Sequence, residues 1–473
     1  MAASPLPIAS ADDLRGRRVV VLGLARSGVA AARFLADAGA TVAAYDRRPA
    51  DQLTDAVGEL GERPVRLALG VDEAAARVLL AEADLLVTSP SVSARFPTTD
   101  PWLREALSAA EARGTEIVSE VELFLRLTRA RVLGVTGTKG KTTTASLVDA
   151  ILEAGAIPHI LGGNIGRPLI EEAERLTADH WAVLELSELQ LPTIGRGADV
   201  AVYTNVTEDH LDRHGSVEAY RAVKARLAEL TGQRGGVVVL NADDPGCREL
   251  AARVAADTLW YGWDDPHLEA TIDGGSLVLL GEPVMAVGEI RLAGRHLHSD
   301  VMAAALGASA AGATHEAIAS GVSGFRGVPH RLETLGERNG VQWVNDSQAT
   351  IPTAAIAALE AYATPIVLIA GGKDKGLDYG AFVDRIAERC RAVVLIGETA
   401  DEIEGLIAGR VRVMRVGSME GAVDAADAEA QPGDVVLLAP AAASFDMFTD
   451  YAARGDAFRA AAAARGVRPE ATT

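Results

Sequence analysis

Cysteine is nearly missing from this chain. Two are present in 473 residues, Cys247 and Cys390, far apart and without metal-binding spacing. They read as buried thiols of a reducing compartment, not as a disulfide framework. Aromatic residues make up only 4%, so the cores are expected to be aliphatic. Basic residues fall short of acidic ones, 45 against 65, for a net charge of −20. That excludes a protein held to nucleic acid by a basic footprint. It also means that an anionic ligand must be gripped locally, by backbone N–H groups, placed Lys or Arg, or a metal, because the field of the whole molecule opposes it. No uncharged run is long enough to span a bilayer, and MAASPLPIASADDLRGRR at the start has no apolar segment of a secretion signal. The chain is expected to work in the cytoplasm as a monomer, without a membrane or nucleic-acid partner. Its length suggests about three domains.

What the chain does have is glycine-rich turns at the ends of apolar strands. The most informative stretch runs from Arg131 to Ser146, RVLGVTGTKGKTTTAS. It reads as a strand over 132–136, a polar turn, and the start of a helix. Glycines let successive N–H groups converge on one anion, and the helix N-terminus adds partial positive charge. Lys141 would supply a point charge to the β- and γ-phosphates, and the Thr142 hydroxyl could reach Mg²⁺. The full G-x-x-x-x-G-K-[ST] pattern is not met, because Val135 stands where its first glycine belongs. A lysine-rich surface turn is the alternative; a strand before and a helix after favour a nucleoside-triphosphate site.

Before this stretch, a strand over 17–22 leads into Gly23-Leu24-Ala25-Arg26-Ser27-Gly28, a helix, and a second strand ending at Asp46. The loop resembles a dinucleotide fingerprint with Ala25 for the middle glycine; a ligand-free βα turn would look the same. If a ligand binds, the loop suits a diphosphate and Asp46 could accept from a ribose or base. Further strands end at Ser89 and near Glu120, an open, mostly parallel sheet.

After it, Gly162-Gly163-Asn164-Ile165-Gly166 closes one strand, and Glu185 sits in an apolar strand where a carboxylate needs a partner. A strand over 200–206 runs into Thr207-Glu208-Asp209-His210-Leu211-Asp212-Arg213-His214, a cluster suited to metal or phosphate. In SVEAYRAVKARLAELT, Lys224 lies one residue off the apolar stripe, which makes it a solvated or boundary residue by periodicity. Short alternating strands follow over 268–292, then a helix over 299–311. From Gly327 on, apolar strands alternate with helices; one ends in Asn345-Asp346-Ser347-Gln348-Ala349-Thr350, and the last runs into a helix whose start carries Ser444. The expected architecture is α/β in three domains, 1–119, 120–326 and 327–473, with function along the C-terminal strand ends.

In order, GTKGKTTT, GGNIG, LELSELQL, NVTEDHLDRH, GVPHRLE, NDSQAT, GGKDKG and PAAASFDMF resemble the motif set of the Mur ligase family over nearly the whole chain. The resemblance implies an N-terminal Rossmann-like domain for the UDP of a nucleotide sugar, a central mixed sheet of the P-loop ATPase type, and a C-terminal Rossmann-like parallel sheet for an amino acid. It implies an ATP-dependent amide ligase of peptidoglycan precursor synthesis that works through an acyl phosphate. GLARSG…YDRRP and the C-terminal stretches look most like members that join D-glutamate to UDP-N-acetylmuramoyl-L-alanine. L-glutamate, another acceptor nucleotide, or a non-catalytic nucleotide-sugar binder are the alternatives.

By the same resemblance, Gly137, Thr138, Lys139, Gly140, Lys141, Thr142 and Thr143 hold the ATP phosphates. Thr142 and Glu185 are ligands of one Mg²⁺; His210 serves a second Mg²⁺ and the substrate carboxylate. Lys224 matches a lysine that the family carbamylates, with the carbamate bridging to metal. Arg331 and Asp346 belong near the γ-phosphate and ribose of ATP. Asn164 contacts the uridylyl substrate, Ser27 and Gly28 its diphosphate, and Asp46, Arg47 and Ser89 its uridine. Thr350, Lys375, Ser444 and Tyr451 surround the amino acid. The departures are Gln348 for the lysine of NDSKAT, for which Lys373 or Lys375 would compensate, His296-Leu297-His298-Ser299-Asp300 for H-N-x-x-N, ELSELQL for ELSSFQL, and Ser89-Pro90-Ser91 for Ser-Pro-Gly. They leave the ATP half intact and bear on acceptor specificity.

Overall fold

The structure, a computed structural model, describes residues 8–96, 98–207, 216–292, 294–374 and 376–468. The chain forms two compact units, Met1–Phe325 and Arg326–Thr473. The first unit contains two sheets. Strands β1 (Arg18–Leu22), β2 (Thr41–Asp46), β3 (Val65–Leu69), β4 (Leu85–Thr88) and β5 (Glu116–Ser119) pair in the order β3-β2-β1-β4-β5, all parallel. Alternate residues of β1 feed different layers: Val19 and Val21 pack with Val29 and Leu35, Val20 and Leu22 with Leu86 and Leu107. Burial on both faces is why this strand reads as a continuous apolar run.

The second sheet comprises β6 (Arg131–Thr136), β7 (His159–Gly163), β8 (Trp181–Glu185), β9 (Val200–Tyr203), β10 (Val237–Asn241), β11 (Asp257–Trp263), β12 (Ala270–Asp273), β13 (Ser276–Leu279) and β14 (Glu282–Ala286). Their order is β14-β13-β12-β11-β10-β9-β6-β8-β7, parallel except for β13, which pairs antiparallel with both β12 and β14, so the sheet is mixed as expected. The helix Lys141–Ala154 leaves β6 and packs against the helices Arg295–Ala310 and His315–Gly324. Two boundaries differ from the sequence reading. The helix expected over 299–311 begins at Arg295, and β9 stops at Tyr203 because Thr204 and Asn205 turn to bond the loop after β6.

A short helix, Glu120–Leu127, follows β5 and is capped by the Ser119 hydroxyl, which accepts from the Glu122 N–H at 3.2 Å. Glu120 is buried and accepts from the Ile170 N–H at 3.0 Å, tying the end of the first sheet to the segment between β7 and β8. Burial pushes its pKa up to about 7, against the smaller opposing effect of the backbone donors. Its folded pKa lies above the ordinary carboxylate value, so its contribution to stability is present below pH ~4.5 and is lost as pH rises through about 7. Glu120→Gln keeps a carbonyl acceptor and removes the titration. Its thermal midpoint should gain on wild type between pH 5 and 8; a constant difference would contradict this.

The second unit holds β15 (Glu333–Arg338), β16 (Val341–Asn345), β17 (Ile366–Gly371), β18 (Cys390–Ile396), β19 (Arg412–Arg415) and β20 (Val435–Leu438) in the order β15-β16-β20-β17-β18-β19. Five strands are parallel; β15 runs antiparallel to β16 across Asn339-Gly340, whose positive φ angles of 53° and 75° suit a two-residue hairpin turn. Ser444 does not start the last helix. That helix begins at Tyr451, because the Asp450 carboxylate caps it by accepting from the Ala453 N–H at 2.7 Å, and turns occupy the residues between.

Candidate active site

The loop after β6 is shaped by two obligatory glycines. Gly137 has φ +147°, and a Cβ there would lie 2.0 Å from Thr204 Oγ1. Gly140 has φ +86°, and a Cβ would lie 2.3 Å from Asp300 Oδ1. Gly140 opens the helix Lys141–Ala154, and among the described residues the N–H groups of Gly140, Thr142 and Thr143 have no protein acceptor. Three free donors at a helix N-terminus form an anion cradle. Lys141 folds back over the loop, its Nζ donating to the carbonyls of Gly137 at 2.9 Å and Thr138 at 2.7 Å. Thr138 is held by Tyr220, with 3.0 Å between their hydroxyls, while Lys139 projects into solvent.

Beside the cradle, Thr142 Oγ1 donates to Glu185 Oε2 at 2.8 Å, and Asn164 Nδ2 donates to Glu185 Oε1 at 2.9 Å. Glu185 ends β8 and is buried, so the costly carboxylate of an apolar strand has both oxygens paired. The neighbouring loop needs Gly163, where a Cβ would fall 2.4 Å from the Glu185 carbonyl. A hydroxyl and a carboxylate are hard oxygen donors that fit Mg²⁺, which takes few protein ligands and completes its shell with phosphate oxygens and water. Among the described residues no cluster of three His, Cys, Asp or Glu side chains could hold a metal without such help. His210 lies outside the described residues.

Lys224 is not the boundary residue that periodicity suggests. It is fully buried, its Nζ donates to the Gly137 carbonyl at 2.8 Å and lies 3.4 Å from Thr136 Oγ1, and the ammonium stands 5.5 Å from the centre of the Tyr220 ring. The helix Val217–Gln233 therefore turns a lysine toward the phosphate loop.

In the first sheet, a cavity of about 480 Å³ opens at the ends of β1, β2 and β4, lined among others by Gly23, Ala25, Asp46, Arg47, Arg48 and Ser89. The strand order reverses there, the usual ligand position in an open parallel sheet. Asp46 lines the cavity, but its oxygens are already engaged. They accept from the Leu24 N–H at 2.9 Å and from Arg48 Nε at 3.0 Å and Nη2 at 2.8 Å. Burial would raise its pKa; the Arg48 and Leu24 bonds outweigh that and hold it below the usual range. Asp46 thus orients Arg48 and the loop at the cavity's edge. Ser27 and Gly28 lie on the first turn of the helix Arg26–Asp37 and do not line the cavity. Gly28 is needed for close packing, since a Cβ would meet the Gly23 carbonyl at 1.8 Å.

In the second unit, burial pushes the pKa of Asp346 up to about 6, and its carboxylate accepts from the Leu332 N–H at 3.0 Å. Arg331 is exposed beside it. The buried Arg454 joins two strand-end loops: Nε donates to Ser347 Oγ and Nη2 to the Ser347 carbonyl, at 3.0 and 2.9 Å, while Nη1 donates to the carbonyls of Ala442 and Ala443, both at 3.0 Å. This clamp brings the Thr350 loop beside Ser444, which is buried, and Tyr451, whose carbonyl accepts from Ser347 Oγ at 2.7 Å. Lys373 is paired with Glu398 at 2.8 Å on the surface. Lys375 lies outside the described residues.

Three family models match in succession: the Mur ligase MurD-like N-terminal domain over 17–119, the Mur ligase middle domain over 135–308, and the Mur ligase glutamate ligase domain over 330–442. The chain belongs to the Mur ligase family. It is 44% identical over 450 residues to the UDP-N-acetylmuramoylalanine–D-glutamate ligase of Solibacter usitatus, covering 94% of this chain and 97% of that protein. Proteins of the same name from Koribacter versatilis and Acidobacterium capsulatum are 38% and 40% identical, again over 94% of this chain and over 97% and 96% of theirs. Among solved structures, the UDP-N-acetylmuramate–alanine ligase of Thermotoga maritima shares the fold with a TM-score of 0.55 at 17% identity, over 95% of this chain and all of that one.

The middle-domain match of this Mur ligase spans the phosphate loop, Glu185 and Lys224, and the N-terminal match spans the cavity. Sequence reading passed over Arg48, Asn205 and Arg454. Arg48 had a signal, a cation two residues from a strand-end aspartate. Arg454 had none, because a helical arginine in an alanine-rich stretch is ordinarily solvated.

Proposed function

We propose that this Mur ligase joins D-glutamate to UDP-N-acetylmuramoyl-L-alanine with consumption of ATP, a cytoplasmic step of peptidoglycan precursor synthesis. The near full-length identity of 44% to a protein named for that reaction supports the reading, and the phosphate cradle beside Glu185 supplies its chemistry. We read the chain as three working parts, 1–119 for the UDP-sugar, 120–326 for ATP and 327–473 for the amino acid.

The donors of Gly140, Thr142 and Thr143, with Lys141, would hold the β- and γ-phosphates and neutralise charge as the γ-phosphoryl moves. Thr142 and Glu185 would hold Mg²⁺, which supplies further neutralisation when bound; a second ion would belong with His210. A carboxylate oxygen of the alanyl group attacks the γ-phosphorus, the bond to ADP breaks, and an acyl phosphate forms. The amine of D-glutamate then attacks the acyl carbon, inorganic phosphate leaves, and the amine loses a proton. Neutralisation and positioning carry such a transfer between anions. In the UDP-sugar part, Arg47 and Arg48 flank the cavity that would take the uridine and diphosphate. We assign Thr350, Lys375, Ser444 and Tyr451 to the acceptor amino acid and Arg331 and Asp346 to ATP. Lys224 is assigned as the carbamylated lysine, formed when its neutral amine adds to carbon dioxide and releases a proton.

Phosphate release with Mg²⁺-ATP and UDP-N-acetylmuramoyl-L-alanine, measured across D-glutamate, L-glutamate, D-aspartate and L-alanine, tests the proposal. Release should require the nucleotide sugar and be fastest with D-glutamate. No release with any acceptor would overturn it, and a preference for L-glutamate would reassign the acceptor.

A further inference from the structure

We propose that Asn205, together with Thr204, is a positioning residue that sets the shortened phosphate loop for its anion. The proposal rests on the reading of that loop as the ATP site. The side chain of Asn205 pairs with both backbone groups of Lys139: Oδ1 accepts from the Lys139 N–H and Nδ2 donates to the Lys139 carbonyl, each at 3.0 Å. Thr204 Oγ1 donates to the same carbonyl at 2.5 Å, and the Asn205 carbonyl accepts from the Thr138 N–H at 2.9 Å. Consecutive peptide groups of the loop are thus bonded from outside, by the segment that follows β9.

The consequence follows from peptide geometry. In a trans peptide the carbonyl and the next N–H point in opposite directions. Holding the Lys139 carbonyl toward Thr204 and Asn205 turns the Gly140 N–H the other way, to join the free donors of the helix N-terminus. Glycine at 140 makes this peptide easy to rotate, so an external clamp has something to restrain. The clamp is itself braced, because the Thr204 carbonyl accepts from Asn241 Nδ2 at 2.9 Å and from the Tyr261 hydroxyl at 3.0 Å, both from neighbouring strands. Thr204 also occupies the space that a side chain at Gly137 would need. A loop with the longer glycine-spaced pattern has more of its own backbone to wrap an anion; this one borrows an amide side chain.

The test compares Asn205→Leu, near-isosteric and uncharged, with Thr204→Val and the conservative Thr204→Ser. Binding of a non-hydrolysable ATP analogue and of UDP is measured by calorimetry, and KM for ATP by phosphate release. Asn205→Leu should weaken the analogue and raise KM for ATP by about tenfold or more, Thr204→Val by several-fold, and Thr204→Ser by less than about twofold. UDP binding should stay unchanged, which a general loss of structure would not allow. Analogue affinity within about twofold of wild type in both Asn205→Leu and Thr204→Val would overturn the clamp. So would parallel loss of UDP and analogue in every variant. Failure of the wild-type protein to bind the analogue would instead strike the ATP reading on which the clamp rests.

Discussion

Lys141→Ala should lower the rate of phosphate release by about 10²- to 10³-fold, the range for removing one preorganised donor from a developing anion. The side chain spans the loop between two carbonyls that it already bonds, so its ammonium is held in place before any nucleotide arrives. The surrounding protein carries an excess of acidic residues, and no general positive field can replace it. UDP binding should survive, because the cavity at the ends of β1, β2 and β4 is lined without this residue. Turnover measured by phosphate release and UDP affinity measured by calorimetry separate the two. Equal loss of both would show that the division of labour between the sheets is wrong.

Lys224→Ala should cost about 10²-fold or more in turnover, on the scale of losing a group that positions charge at a phosphoryl-transfer site. The loss of fold stability should be small by comparison, because the Gly137 carbonyl keeps Lys141 as a donor. If the working group is a carbamate, a small carboxylate entering the vacated space should restore part of the rate. The measurement is phosphate release by the variant with and without added formate or acetate. Full activity without rescue would refute the role, and a loss of rate matched by a collapse in thermal midpoint would make Lys224 a structural residue.

The glycine loops, the parallel strands and the mixed central sheet were legible because each rests on local rules: apolar strands, glycine at strand ends, helices between. Gly137 and Gly140 stand where a phosphate loop needs them, and the structure adds that Thr204 and Asp300 leave no room for a side chain. Lys224 was not legible from periodicity, which counts apolar residues and has no means of seeing a lysine turned inward onto a carbonyl. Asp46 was legible as a strand-end carboxylate, but not that Arg48 would take its oxygens. The hairpin of β15 and β16 carried a signal in Asn339-Gly340 that the reading passed over. Asn205 belongs to the same class as Lys224: its partners, the backbone groups of Lys139, are distant in sequence and carry no residue identity.

The central claim is that a carboxylate is activated by direct transfer of the γ-phosphoryl group. UDP-N-acetylmuramoyl-L-alanine labelled with ¹⁸O in its alanyl carboxylate tests it most directly. With ATP, Mg²⁺ and D-glutamate, one labelled oxygen should appear in the released inorganic phosphate and the other should remain in the new amide. Inorganic phosphate free of label, with amide formed, would contradict the account.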